Sequence, residues 1–213
     1  MQWRAGAFEL LASLVAPPRC AACDVPVRRA IAFCPPCART LVRADNPDPS
    51  RIAAFVYGGA IAETLRRCKF EGRPDLARVL AAGFSPHLRD LESSPRTLLI
   101  PVPLHPSRLV ERGYNQAALL AGSVARRIDA EWAPRGLCRR RQTTRQTELD
   151  RSARASNVRD AFSVADPSAL SGRSIILVDD VETTGATLGA CRAALERCDI
   201  LGIRSLVVAR AGG

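Results

Sequence analysis

The chain has 213 residues, 47% of them apolar, with a mean hydropathy of −0.02. That is enough for one soluble α/β domain with a small appendage, and no apolar run approaches the ~20 residues a membrane-crossing helix needs. Thirty-one basic against 21 acidic residues give a net charge of +10, which suits acidic partners such as nucleic acid or polyphosphate. Thirty of the 31 basic residues are Arg and only Lys69 is Lys, a skew that coding bias explains as readily as selection for a binding surface. The charge is nevertheless localised: between Arg135 and Arg159 eight Arg face only Glu148 and Asp150, a local excess of +6.

From the N-terminus, Phe8, Leu10, Leu11 and Leu14 suggest a leader for a moment, but Glu9 interrupts the run, and an amphipathic helix is expected instead. Cys20-Ala-Ala-Cys23 and Cys34-Pro-Pro-Cys37 follow, two C-x2-C knuckles ten residues apart in Pro-rich loop sequence. Four thiolates in this arrangement suit a tetrahedral, closed and therefore structural Zn2+ site, although the gap is shorter than usual for a zinc ribbon. A redox pair or disulfides is the competing reading; a redox C-x2-C opens a helix after a strand, and here two copies lie in loop sequence. Thiolate ligands need a reducing compartment, so the expected location is cytoplasmic. Residues 1–45 thus form a zinc-binding module, and Asn46-Pro-Asp-Pro-Ser50 is a linker to a second domain, 51–213.

In that domain Arg51–Tyr57 reads as a strand, Gly58-Gly59 as a turn, and 61–68 and 74–88 as helices. Lys69 stands between them; its retention in an Arg-rich chain hints that a compact ammonium is needed there, and chance explains one lysine equally well. Thr97–Val102 is a second apolar strand, ending in Pro101, Pro103, His105, Arg108, Arg112, Gly113, Tyr114, Asn115 and Gln116. Arg108 and Arg112 lie a helical turn apart and suit a fork onto phosphate oxygens, or simply a solvated basic helix start. His105 fits loop packing as well as a catalytic role. A helix over 115–130 follows, with an apolar face of Ala117, Leu120, Ala121, Val124 and Ile128. The basic segment beyond it has too few apolar residues to pack, and its first half is expected to be mobile.

The most informative stretch is Ile175 to Thr187, I-I-L-V-D-D-V-E-T-T-G-A-T. Four apolar residues read as a central parallel strand, and open parallel sheets bind ligands at the carboxyl ends of their strands. Ionised Asp179 and Asp180 are pure acceptors and suit two neighbouring hydroxyls, such as those of a ribose. Thr183, Thr184, Gly185, Ala186 and Thr187 turn into a helix (188–195), where free backbone N–H groups and the helix dipole favour a phosphate. An ordinary strand ending in Asp, including a phospho-acceptor aspartate, is the rival reading, whereas a P-loop fails for want of Gly-Lys-Thr. A last strand, Ile203–Ala209, completes the sheet.

The 175–187 run resembles the phosphoribosyl-pyrophosphate (PRPP) motif of type I phosphoribosyltransferases. The P-V-P segment with the later Gly113-Tyr114 pair resembles the pyrophosphate loop of glutamine amidophosphoribosyltransferases. Together with the double knuckle, P-V-P-L-H-P-S-R-L-V-E-R-G-Y-N-Q and R-R-Q-T-T-R-Q-T-E-L-D-R-S-A-R-A-S-N-V-R-D-A-F, nearly the whole chain is similar to the ComF family of competence-associated phosphoribosyltransferase-like proteins. The resemblance implies a Rossmann-like parallel sheet with helices on both faces, a variable hood over about 51–95 and a flexible loop over about 139–158 that closes on the ribose. It implies PRPP binding with Mg2+ by Asp179, Asp180, Val181, Glu182, Thr183, Thr184, Gly185, Ala186 and Thr187, and pyrophosphate contacts from His105, Arg108 and Arg112. Arg145 takes a catalytic part beside Asp179 and Asp180, and Gln146, Arg151 and Asn157 fall on the loop's motif. The implied biology is natural transformation, with single-stranded DNA and DNA-uptake proteins as partners. The chain is then either an enzyme releasing pyrophosphate or a non-catalytic single-stranded-DNA-binding factor that uses the fold as a ligand sensor.

Overall fold

The computed structural model describes residues 18–28, 31–89, 91, 96–140 and 161–212. The expected N-terminal helix and the loop residues Arg145, Gln146, Arg151 and Asn157 lie outside them.

Five parallel strands form one sheet in the order β1-β7-β6-β2-β3: β1 (Arg51–Val56), β2 (Thr97–Pro101), β3 (Glu131–Trp132), β6 (Ser174–Glu182) and β7 (Gly202–Arg210). The motif strand β6 is central, with Ile176 paired to Leu99 on one side and to Arg204 on the other. Centrality explains its unbroken apolar run, since alternate side chains must fill two opposite cores.

On one face Ile176 and Val178 join Ile52, Leu99, Leu206 and Val208 beneath α2 (Gly59–Phe70), α3 (Leu76–Ala82) and α5 (Gln116–Ile128). Leu120, Ala121 and Val124 carry α5 into that core, the face its periodicity predicts. On the other face Ile175 and Leu177 join Ala53, Leu98, Ile100 and Val207. Here the cover is α6 (Ala186–Leu195) and an antiparallel hairpin, β4 (Leu137–Arg139) with β5 (Phe162–Val164). Helices therefore stand on both faces, but the hairpin replaces a further helix on the second. Near the two ends of the basic segment, Leu137 on one side and Ala161 and Phe162 on the other are the buried anchors that allow this. Arg140 N–H donates to Ala161 O at 2.9 Å, which extends the pairing of the hairpin by one step.

The four-cysteine module folds from the first knuckle and the short α1 (Pro35–Ala38), which starts with Pro at its first position where no N–H is needed. It rests on the start of α2, where Ala60 N–H donates to Thr40 Oγ1 at 2.9 Å. A short helix outside the predicted set, α4 (Pro106–Arg112), follows β2 and buries none of its residues. No helix among the described residues is long and apolar enough to cross a membrane.

Candidate functional site

The cleft at the carboxyl end of β6 has a volume of about 340 Å³ and is lined by Tyr57, Lys69 and the whole of Asp179–Leu188. All nine motif residues of the sequence reading thus contribute to the lining of one cleft. Strand geometry persists through Glu182, four residues beyond the apolar run, so Asp179 and Asp180 point to opposite faces of the sheet. Asp180 turns toward the α2 side and accepts a 2.8 Å hydrogen bond from Lys69 Nζ. Asp179 turns toward the hairpin, and its Oδ1 accepts the Asp180 N–H at 2.8 Å. Burial pushes the Asp179 carboxyl up to about 7, the adjacent Asp180 charge adds to this, and Lys69 and Arg139 of β4 pull against it. For Lys69, burial opposes the charge, yet the attraction of Asp180 outweighs it and holds the ammonium above its ordinary range.

The turn Thr183–Gly185 then feeds α6. Gly185 sits at φ +74°, and a Cβ there would stand 3.2 Å from Glu182 Oε1, so both conformation and space call for glycine. No side chain caps α6, whereas α4 and α5 are capped by His105 and Asn115. The Ala186 N–H has a long contact to Thr184 Oγ1, 3.4 Å, and the N–H groups that follow it in the first turn of α6 face an anion site in the cleft without a side-chain cap. Glu182 is different in kind: its side chain is only 3% exposed, one oxygen is held by Arg51 and the other accepts from Arg210 Nε at 2.9 Å. Its carboxylate clamps β1 and β7 to the end of β6, with one arginine on each oxygen.

The other predicted contacts are placed apart from this cleft. His105 accepts the Ser107 N–H at 3.3 Å and has Ser107 Oγ 2.8 Å from Nδ1, which is the work of a helix cap. Arg112 Nη1 donates to Gln116 Oε1 at 2.8 Å, and its guanidinium lies 5.2 Å from the centre of the Phe70 ring. Because Arg112 can only donate, Gln116 must show it oxygen, and Gln116 Nε2 is left buried with no acceptor among the described residues. None of His105, Arg108 and Arg112 lines the cleft. Conversely, Tyr57 went unseen as a site residue, and Arg139, expected at the start of the flexible loop, instead ends β4, paired with Phe162. Lys69 had a signal, as the one lysine among thirty arginines.

The N-terminal module gathers Cys20, Cys23, Cys34 and Cys37 with all four Sγ atoms within 4.8 Å of one another, and Cys23 Sγ to Cys34 Sγ at 3.6 Å. Zn–S bonds of about 2.3 Å in a tetrahedron require S···S edges of roughly 3.8 Å, so the donor set fits zinc. The electrostatics agree. Burial resists ionisation of Cys20, but N–H groups of Cys23, Cys34 and Ala22 overcome it and bring that thiol down to about 6. Burial and the neighbouring sulfurs push Cys37 far up. Clustered thiols that hinder each other's ionisation are what a divalent cation relieves.

No family model matches the chain. Among curated proteins it is 34% identical to "Competence protein F" of Haemophilus influenzae over 152 residues, 69% of this chain and 66% of that protein. It is 31% identical to "Competence protein ComFC" of Bacillus subtilis over 159 residues, 74% of this chain and 63% of that one. It is 28% identical to "DNA utilization protein YhgH" of Escherichia coli over 189 residues, 79% of this chain and 80% of that protein. Among solved structures it is similar to an adenine phosphoribosyltransferase from Leishmania donovani, with 13% identity, 76% and 72% coverage and a TM-score of 0.42. A hypoxanthine phosphoribosyltransferase from Staphylococcus aureus gives 13% identity, 64% and 62% coverage and a TM-score of 0.35. Matched over most of its length to proteins named for competence, and carrying the four-cysteine cluster ahead of the parallel sheet, the chain belongs to the ComF family.

Proposed function

We propose that this protein binds PRPP with Mg2+ in the cleft at the end of β6, as a phosphoribosyltransferase-like protein of DNA uptake acting in the cytoplasm. One observation carries the reading: the uncapped start of α6 behind Gly185 opens into the same cleft as the two carboxylates. The Thr183–Thr187 turn takes the 5′-phosphate, and Asp179 and Asp180 take the ribose hydroxyls, Asp180 by exchanging its lysine partner for a hydroxyl. In a transfer, positive charge develops at C1 of the ribose while negative charge gathers on the departing pyrophosphate, so fixed charges and donors decide the rate. Mg2+, when bound, supplies leaving-group charge stabilisation. Arg108 and Arg112 reach the pyrophosphate from α4, with His105 fixing the start of that helix. Arg145, with Gln146, Arg151 and Asn157, closes over the ribose from segment 141–160. Zinc in the four-cysteine module is structural, since four thiolates leave no open position.

The competence and DNA-utilization names of the relatives support the DNA-uptake setting. They equally favour a second reading, a sensor that binds single-stranded DNA and uptake proteins through its basic segment without turnover. DNA affinity that falls steeply with salt is expected on that reading. Isothermal calorimetry with PRPP and Mg2+ tests the first: wild type should bind and the Asp179→Asn, Asp180→Asn double variant should not. Equal heats from the two proteins would falsify it. Pyrophosphate release over a panel of bases then separates enzyme from sensor.

A further inference from the structure

Three consecutive residues in the last turn of α2 each hold a different motif of the chain. Arg67 is buried and reaches the cysteine module, donating to Cys20 O at 3.2 Å and Ala21 O at 3.0 Å and pairing with Asp24 at 2.5 Å. The carbonyl of Cys68 accepts the Tyr114 hydroxyl at 2.5 Å, which ties the turn to the R-G-Y-N-Q block. Lys69 pairs with Asp180 and is the only cation lining the cleft among the described residues. A ligand with several phosphate charges, entering a space already lined by Asp179 and Asp180, needs a positive charge there. Tyr114 and Arg67 leave the turn little freedom, so the place of that charge is decided outside the cleft.

We propose that Lys69 is a ligand-binding residue of the cleft and that Arg67 is its positioning residue, through which metal in the four-cysteine module governs phosphate binding. The Lys69 part rests on the PRPP reading above; the Arg67 part does not. The backbone carbonyls that Arg67 holds belong to Cys20 and its neighbour, and Cys20 is a zinc ligand in the fit above. Loss of the metal therefore releases the anchor of Arg67. The turn relaxes, and the lysine two residues on leaves Asp180.

Because Lys69 is the only lysine, a sample labelled with 13C,15N-lysine gives one side-chain signal apart from any other source of overlap. In the zinc-loaded full-length protein that signal should be displaced from the free-lysine position, and it should move again when PRPP and Mg2+ are added. Chelating the zinc should return it toward the free-lysine position, and zinc should restore it. Arg67→Gln with its zinc content intact should do the same and should weaken PRPP binding by about tenfold or more, the scale of a lost charge-assisted contact. Asp24→Asn is the gentler variant, which keeps Arg67 and its neighbour Glu71, 3.0 Å from Arg67 Nε, and removes only the carboxylate partner on the cysteine module; a smaller shift in the same direction is expected. A lysine signal that stays in place in both variants and after chelation, with circular dichroism showing a folded body, overturns the positioning role. A Lys69→Met protein that binds PRPP as wild type does overturns the ligand role. If wild type binds no PRPP at all, the cleft reading and the ligand role fall together, while the lysine signal still decides whether Arg67 places Lys69.

Discussion

Replacing Glu182 by Gln separates a ligand contact from a structural clamp. The side chain is 3% exposed and sits between Arg51, 50% exposed, and Arg210, 27% exposed. The Arg51 pair is screened and contributes about 0.5 kcal/mol, as exposed ion pairs do. The Arg210 contact is a charge-assisted hydrogen bond to a buried oxygen and contributes about 2 kcal/mol. Gln keeps the shape, loses the charge and turns an N–H2 group toward one of two donors, so the expected loss is about 2–3 kcal/mol. For a chain of this size that lowers Tm by about 5–10 °C, measured by calorimetry or circular dichroism. The pH dependence follows from the shift. Burial alone would raise the Glu182 carboxyl, but Arg51 and Arg210 outweigh it and hold it below its ordinary range. Its stabilisation is present above the unfolded value of about 4.3 and is lost as pH falls through the lower folded value, so the deficit of the variant should vanish in acid. PRPP affinity should change far less than Tm. A variant that melts like wild type and has lost its ligand would refute the clamp and return Glu182 to the ligand set.

Asp179→Asn should cost PRPP affinity at pH 8. It should also raise Tm there and leave Tm unchanged near pH 3, because a carboxyl lifted to about 7 favours folding only while protonated, an advantage lost as pH rises through that value. The affinity of wild type should climb between pH 6 and 8, and a flat profile by calorimetry would count against Asp179 as an ionised acceptor. Gly185→Ala forces a Cβ into a left-handed turn 3.2 Å from Glu182, and a loss of about 1–2 kcal/mol in denaturant melts is expected, with weaker phosphate binding. Chelation should release one zinc per chain, detected with a colorimetric metal indicator, and Cys34→Ser should retain none; full zinc retention by that variant would end the four-thiolate assignment.

The motif strand and the cysteine knuckles were legible in the sequence because their information is local. A run buried on both faces must be apolar throughout, and ligands to one metal must recur at short spacing. Tight turns likewise announce themselves, as Gly185 does, since backbone conformation limits the residue at one position. What the sequence by itself determined is therefore the α/β class, the Thr-Thr-Gly turn after the motif strand and the four-cysteine module. The tertiary structure alone decided which charges meet. That β6 continues through Glu182, dividing Asp179 from Asp180, depends on its pairing with β7. That Lys69 faces Asp180, 111 residues away, and that Arg67 reaches the cysteine module depend on how α2 packs. That Glu182 is a clamp, while neighbouring motif residues stay open to the cleft, depends on two arginines from the flanking strands. Charge is read from composition, but its partner is chosen by distance in space, and no spacing along the chain encodes that.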